Sequence, residues 1–177
     1  LGHCVRALYL MCGAADVAKE YGDEELKNAC RRFFESVVGR RMYITGGVGS
    51  TNIGEAFTVD YDLPNRTAYS ETCASIAMAM FANRMLGFKA DSRYADIVEK
   101  ALYNGIISGV ALDGRSFFYE NPLEMDPDFN NINTSTKIKE RFPITKRLEV
   151  FDCSCCPPNI LRFVASAAGL IYGFDDE

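Results

Sequence analysis

Residues 3–39 read HCVRALYLMCGAADVAKEYGDEELKNACRRFFESVVG and contain two consecutive helical patterns. Apolar side chains recur three and four positions apart in both patterns. They are Val5, Leu8, Tyr9, Cys12, Ala15 and Ala18 in the first, and Leu26, Ala29, Cys30, Phe33, Phe34 and Val37 in the second. Between them, Gly22 is suited to end the first helix and Asp23 to cap the next. The two helices are therefore predicted to form an antiparallel hairpin.

The rest of the chain continues in the same manner, with further helices joined by long loops. Helical patterns span residues 70–86, 92–111 and 157–172, and the aromatic segment 116–119 predicts a short strand. Residues 40–68 form a glycine-containing loop of a length that usually serves a functional site. These features predict an all-α architecture, and the periodicity alone fits a helical toroid as well as a helical bundle.

Length and charge restrict the classes of function. The chain has 177 residues, of which 48% are hydrophobic and 24% charged, as expected for one soluble domain. Its net charge is −5 and its basic residues are scattered, so nucleic acid is not an expected partner. Neither an apolar run long enough to span a bilayer nor a signal-peptide pattern is visible. A cytoplasmic location and no membrane partner are the simplest expectations.

Two other readings of local motifs are disfavoured by spacing. The glycines Gly46, Gly47 and Gly49 could form a phosphate-binding loop, but no Gly-Lys-Ser/Thr follows them. The seven cysteines are odd in number and unevenly spaced, which does not match a disulfide framework. Cys4, Cys12 and Cys30 lie singly in helical patterns and are interpreted as small buried apolar residues.

The remaining cysteines point to metal chemistry. Cys155 and Cys156 immediately precede Pro157, so they are predicted to lie at a helix start, with Cys156 as N-cap. A helix N-terminus favours the thiolate, the form that binds metal and attacks carbon. Zinc needs about four ligands, and Glu71 and Cys73 can complete the set if they lie at an irregular helix start. Spacing alone does not require this site, and a purely structural zinc knot would fit it equally well.

Six separated motifs carry a resemblance to a known family. They are Gly2-His3-Cys4-Val5-Arg6-Ala7, Ile44-Thr45-Gly46-Gly47-Val48-Gly49-Ser50, Gly54-Glu55-Ala56-Phe57, Tyr69-Ser70-Glu71-Thr72-Cys73-Ala74, Asn121-Pro122-Leu123 and Cys155-Cys156-Pro157-Pro158-Asn159. In this order, and over nearly the whole chain, they resemble the β-L-arabinofuranosidases of glycoside hydrolase family 127.

The resemblance implies both a fold and an activity. The fold is an (α/α)6 barrel, or helical toroid, with long loops and a few short strands, of which residues 1–177 would form one segment, roughly the C-terminal half of the catalytic domain. The activity is that of a retaining glycoside hydrolase that releases terminal β-L-arabinofuranose from arabino-oligosaccharides or glycoconjugates. An arabinofuranose-containing oligosaccharide is thus the expected partner, and a homo-oligomer is one possible state.

The resemblance also implies roles for individual residues. Cys155 would be a zinc-bound nucleophile, and Glu71, Cys73 and Cys156 the other Zn²⁺ ligands. Glu55 would be the acid/base carboxylate, while His3 and Tyr119 would contact substrate. Cys153 is expected to remain outside the ligand set.

Without the resemblance, the same residues have ordinary structural interpretations. Glu55 would be a solvated loop charge, His3 a helix residue and Tyr119 part of a strand core. If the alignment were shifted by a few residues, Asp60, Asp62 or Glu120 could replace Glu55. Two other functions stay open at this level: a non-catalytic zinc-stabilised helical domain that binds a partner or glycan, and a related glycosidase for another pentose or a branched acidic deoxy-sugar.

Overall fold

The computed structural model describes residues 2–125, 146–149 and 153–172. Five α-helices lie in this part of the chain: α1 Cys4–Tyr21, α2 Glu24–Arg40, α3 Thr72–Leu86, α4 Ser92–Ala101 and α5 Cys156–Ser166. Helix α4 continues into a π-helical turn, Leu102–Ile106, and a 3-10 turn, Ile107–Gly109. Two further 3-10 turns are Ile53–Glu55 and Ala167–Leu170. The prediction of a mostly helical chain is confirmed.

The first two helices form the predicted hairpin. Gly22 ends α1 in the left-handed conformation, with φ of 65°, and its N–H donates to the carbonyl of Lys19. Asp23 caps α2 because its carboxylate accepts a hydrogen bond from the N–H of Leu26 at 3.0 Å. The apolar faces of α1 and α2 then pack together, with Leu8, Phe34 and Val37 fully or almost fully buried.

Helix α3 lies at the centre of the described structure. Eleven of its fifteen residues are buried, and it packs against α1, α4 and α5. Its sequence TCASIAMAMFANRML places a charge only at Arg84 and contains many small residues, so neighbouring helices can approach it on several sides. The central position of α3 fixes the place of its N-terminal residues relative to the other helices.

The segment predicted as a short strand, 116–119, forms isolated bridges instead of a ladder. Phe117 pairs with Val110 and with Leu148 by single bridges. The carbonyl of Tyr119 accepts instead from the N–H of Thr72, at the start of α3, at 2.9 Å. Because these backbone groups bond to loops and to a helix start, a continuous strand does not form in this segment. Within the described residues, no helix combines the length and apolar composition needed to cross a bilayer.

The packing of α3 leads to a stability prediction. Phe81 is fully buried, and its ring lies 5.9 Å from that of Phe33 and 6.2 Å from that of Phe34. Phe81→Ala is expected to lower the free energy of unfolding by about 3–5 kcal/mol, because it removes this packing and leaves a cavity. Urea denaturation followed by circular dichroism measures the change.

The matched control is Leu10→Ala, since Leu10 lies on α1 and is 72% exposed. Its effect is expected to stay within about 0.5 kcal/mol. Equal destabilisation by the two substitutions would contradict the central role assigned to α3.

Candidate metal centre and active-site cleft

Helix α5 begins one residue earlier than the sequence predicts. Cys156 is its first residue and Cys155 its N-cap, whereas the sequence pattern placed Cys156 at the N-cap. Prolines in the first turn are compatible with this start because they lack only donors that would have no intrahelical partner. Cys156 is fully buried and Cys155 is half-buried, so the two adjacent thiols differ in their access to solvent.

Glu71 and Cys73 lie at the start of α3, in the irregular geometry that their spacing requires. Glu71 is the N-cap, with extended backbone, and it follows Ser70, whose φ is 39°. This change of conformation allows side chains two positions apart to face the same point. The N-termini of α3 and α5 therefore converge, and each contributes two side chains to one cluster.

The four side chains of this Glu/Cys cluster are close enough to share one ion. Their ligand atoms all lie within 4.8 Å of one another. The Sγ of Cys73 is 3.4 Å from that of Cys156 and 3.6 Å from that of Cys155. A tetrahedral zinc with Zn–S bonds of about 2.3 Å separates its thiolates by about 3.8 Å. The observed separations lie within about 0.4 Å of this value, so they are compatible with a shared metal ion.

The carboxylate of Glu71 fits the same description. Its Oε1 lies 3.5 Å from the Sγ of Cys155 and 3.8 Å from that of Cys156. Its Oε2 is buried and has no hydrogen-bond partner among the residues that the structure describes. A buried carboxylate oxygen without a donor is costly, and a cation is one means of compensating it.

The protonation equilibria of the Glu/Cys cluster also indicate that it needs positive charge. Burial, followed by the negative charge of Glu55, raises the pKa of Glu71 to about 9. Hydrogen bonds with Cys155 and Cys156 lower the pKa of Cys73 to about 5, and hydrogen bonds with Cys155 and Cys73 raise that of Cys156 well above its usual value. Without a cation, the thiolate of Cys73 and the protonated forms of Glu71 and Cys156 are thus favoured, whereas a divalent cation would favour deprotonation of these three groups.

Glu55 lies beside this cluster and is held from two sides. Its Oε2 is 2.7 Å from Nε2 of His3, and its Oε1 accepts a hydrogen bond from the hydroxyl of Tyr69 at 2.9 Å. The backbone is tied in the same way, because Ala56 bridges to His3 and Phe57 donates to the carbonyl of Gly2. The loop 40–68 therefore delivers one carboxylate to the start of α1.

Gly49 makes this loop geometry possible. Its φ is 97°, and an added Cβ would lie 3.1 Å from the Sγ of Cys4. Its carbonyl accepts from the N–H groups of Tyr69 and Ser70 at 3.1 and 2.9 Å. A left-handed glycine thus connects the loop to the residues that immediately precede Glu71.

Tyr119 contacts the Glu/Cys cluster directly. Its hydroxyl oxygen lies 3.1 Å from the Sγ of Cys155, and its side chain is 2% exposed. The sequence pattern alone would make it a strand-core residue, but the structure brings it to the cleft.

One cleft of about 560 Å³ joins these groups. It is lined by the predicted residues His3, Glu55, Glu71, Cys73, Tyr119 and Cys155, and by Val5, Arg6, Tyr9, Cys153, Pro158, Asn159 and Arg162. Cys156 lies beneath this surface, fully buried. All seven residues named from the sequence are thus gathered at one place.

The alternative carboxylates occupy other positions. Asp60 pairs with Arg40 at 2.9 Å and also with Arg41, and Asp62 is exposed. Glu120 is fully buried. None of the three lines the cleft. Cys153 lines it but is exposed and does not belong to the Glu/Cys cluster.

Sequence reasoning gave no role to four residues around this cleft. Tyr69 bonds to Glu55, as described. Tyr9, Asn159 and Arg162 form a network in which the Tyr9 hydroxyl donates to Oδ1 of Asn159 at 3.1 Å and Arg162 donates to both. Tyr69 and Asn159 belong to two of the sequence motifs that carry the family resemblance, so the sequence indicated that they lie near the site. The bond from Tyr9 to Asn159 joins α1 to α5 across 150 positions, and the bond from Tyr69 to Glu55 depends on the backbone of the loop 40–68, so local sequence patterns do not predict either contact.

Comparison with known proteins gives a consistent result. The family of β-L-arabinofuranosidase, GH127 catalytic domains matches residues 1–169. A non-reducing end β-L-arabinofuranosidase of Bifidobacterium longum subsp. longum is 47% identical over 171 residues, which are 97% of this chain and 25% of that protein. The chain therefore spans about a quarter of the length of this relative.

Two solved structures are also similar. A GH127 β-L-arabinofuranosidase from Geobacillus stearothermophilus T6 has a TM-score of 0.90 at 50% identity, over 98% of this chain and 27% of that one. A GH127 β-arabinofuranosidase has a TM-score of 0.84 at 42% identity, over 97% and 24% of the two chains. The similarity confirms the predicted fold class, part of an (α/α)6 barrel.

The Glu/Cys cluster yields a prediction about metal content. We expect one zinc per chain, and we expect Cys73→Ser combined with Cys156→Ser to abolish its retention, because hydroxyls are much poorer zinc ligands than thiolates. Inductively coupled plasma mass spectrometry after dialysis measures the stoichiometry.

Cys153→Ser is the matched control, since it removes a neighbouring thiol outside the cluster. It is expected to retain a full equivalent of zinc. Zinc-free wild-type protein after careful purification, or a double variant that keeps its zinc, would contradict the assignment.

Proposed function

Because the chain belongs to the family of GH127 β-L-arabinofuranosidase catalytic domains, we propose that the protein carrying it is a retaining glycoside hydrolase that releases terminal β-L-arabinofuranose from arabino-oligosaccharides or glycoconjugates. The observation that carries the proposal is a buried Glu/Cys cluster whose half-buried thiol shares one cleft with Glu55. The relatives' names support the choice of sugar.

Glu71, Cys73, Cys155 and Cys156 are the proposed Zn²⁺ ligands. When bound there, zinc supplies the positive charge that keeps the thiols ionised at neutral pH. Cys156 is 0% exposed and lies beneath the cleft, so it is proposed to serve only as a ligand, and Cys73, at the start of α3, is proposed to do the same.

Cys155 is the proposed nucleophile. It borders the cleft, lies at the N-cap of α5, and contacts the Tyr119 hydroxyl. Its Sγ attacks the anomeric carbon, so that a carbon–sulfur bond forms while the bond to the leaving oxygen breaks. Tyr119 lines the cleft beside Cys155 and is proposed to contact both the sugar and the sulfur.

Glu55 is the proposed acid/base. In the first step it gives its proton to the leaving oxygen; in the second it takes a proton from water, whose oxygen attacks the anomeric carbon as the sulfur departs. His3, 2.7 Å from Glu55, orients the carboxyl and lines the cleft beside the sugar. The two steps together retain the configuration of the anomeric carbon.

A non-catalytic zinc-stabilised domain would need the Glu/Cys cluster but no carboxylate in its cleft. The contacts of Glu55 with His3 and Tyr69 therefore favour an enzyme. A panel of chromogenic glycosides assayed with the full-length protein separates enzyme from binding domain and β-L-arabinofuranosides from other pentosides or acidic deoxy-sugars.

Substitution of the two catalytic groups gives different expected results. In the zinc-loaded full-length protein, Cys155→Ser is expected to abolish turnover, because a serine hydroxyl is a far weaker nucleophile than a thiolate at neutral pH. Glu55→Gln is expected to retain zinc and to lower kcat/KM by about 10²–10⁴-fold on alkyl arabinofuranosides, whose leaving groups need a proton. Steady-state kinetics with zinc analysis provide the measurements.

Asp62→Asn serves as the control for a carboxylate of the same loop outside the cleft, and its activity is expected to stay within about twofold of wild type. If Glu55→Gln hydrolysed the alkyl substrate at the wild-type rate, the acid/base role would pass to another group.

A further inference from the structure

We propose that Tyr69 is a positioning residue that fixes Oε1 of Glu55 as a hydrogen-bond acceptor and so directs the transferable proton to Oε2. This inference rests on the proposed function, since it concerns how the acid/base carboxyl is oriented. Tyr69 itself does not line the cleft; it acts on the reaction only through Glu55.

The two oxygens of Glu55 face different surroundings. Oε1 receives the hydroxyl of Tyr69, a side chain that is 1% exposed. Oε2 faces Nε2 of His3, a residue that lines the cleft. One oxygen is therefore directed towards the protein interior and the other towards the side where a sugar would bind.

The different surroundings of the two Glu55 oxygens determine which of them carries the carboxyl proton. A phenol hydroxyl is protonated at neutral pH and can donate one hydrogen. A proton on Oε1 would compete with that hydrogen for the same 2.9 Å contact, and Tyr69 would have to turn its hydroxyl to another acceptor. A proton on Oε2 leaves the Tyr69 bond intact and lies on the oxygen that faces the cleft-lining His3. The carboxyl proton is therefore held on the oxygen beside the cleft.

Glu55 needs such external support because its own backbone is in an unfavourable conformation. It lies in a 3-10 turn of three residues, with φ of 50°. A non-glycine residue with positive φ persists only where its surroundings enforce it. A carboxyl on a short loop turn also has more rotamers available than one packed within a helix, so two hydrogen bonds are needed to restrict it.

Tyr69 also connects Glu55 to the nucleophile side of the cleft. Its ring packs against that of Tyr119 with a centroid separation of 6.3 Å and an interplanar angle of 58°. Tyr119 in turn contacts the Sγ of Cys155. Two buried tyrosine rings in mutual contact thus each place a hydroxyl on one of the two groups: that of Tyr69 on Glu55 and that of Tyr119 on Cys155. A carboxyl placed in this way keeps a fixed position relative to the sulfur.

The test is a double-mutant cycle in the zinc-loaded full-length protein. Tyr69→Phe removes only the hydroxyl and keeps the ring packed on Tyr119. It is expected to lower kcat/KM about 10- to 100-fold on an alkyl β-L-arabinofuranoside and by less than about threefold on the 4-nitrophenyl glycoside, whose leaving group needs little proton transfer. In a Glu55→Gln background the same substitution is expected to change kcat/KM by less than about twofold.

Tyr43→Phe is the matched control. Tyr43 lies with Glu55 in the loop 40–68 and is 3% exposed. Its hydroxyl donates to the carbonyl of Pro64 instead of to a cleft residue. Its loss is expected to leave the ratio of the two kcat/KM values unchanged. Zinc content and the thermal midpoint of each variant verify that the fold is retained.

The outcomes separate this inference from the proposed function. Equal losses on both substrates, loss of zinc from Tyr69→Phe, or additive losses with Glu55→Gln would overturn the positioning role while the hydrolase assignment stands. Wild-type protein that hydrolyses none of the arabinofuranosides would overturn the proposed arabinofuranosidase activity, and the inference with it. Leaving-group-dependent loss that disappears in the Glu55→Gln background supports the positioning role.

Discussion

The gathering of two buried thiols, one half-buried thiol and one buried carboxylate at a single point is the constraint on which the rest of the structure depends. Each of these groups can carry a negative charge, and burial together disfavours that charge strongly. Two helix N-termini converge there, and their partial positive charges offset only part of the cost. The raised pKa of Glu71 reflects the part of this cost that stays uncompensated. The proposed zinc would compensate the negative charge, and the binding energy of the zinc would add to the stability of the fold.

The elements around the Glu/Cys cluster hold its side chains and Tyr119 in place. Helix α3 is buried on several sides, so the position of Glu71 and Cys73 is set by the helices packed around it. The segment 117–121 is fastened to the same point, because Asn121 donates to the carbonyl of Ser70 at 2.8 Å and Thr72 donates to that of Phe118 at 2.8 Å. These bonds hold Tyr119 against Cys155 and explain why the segment is not a regular strand.

The sequence predicted the helices better than it predicted the site. Apolar periodicity located α1, α2 and α3 to within about two residues, because one buried face is enough to define a helix. It could not bring Glu71 to Cys155, which lies 84 positions away, since no local pattern encodes a contact between two helix starts. The resemblance to a family supplied that pairing. The Tyr69–Glu55 bond was missed for another reason: it depends on positive φ at Gly49 and Glu55, and the sequence pattern gave no indication of the second.

The different exposure of Cys155 and Cys156 follows from the same helix start. An N-cap side chain lies outside the first turn and can extend beyond the helix end, whereas the side chain of the first helical residue follows the helix surface into the core. Cys155 and Cys156 occupy these two positions, so one thiol borders the cleft while its neighbour is fully buried. A sulfur without access to the cleft can only act as a ligand, and one at its edge can also reach a substrate carbon. The helix boundary therefore divides two identical side chains into different proposed roles, and it does so independently of which sugar occupies the cleft.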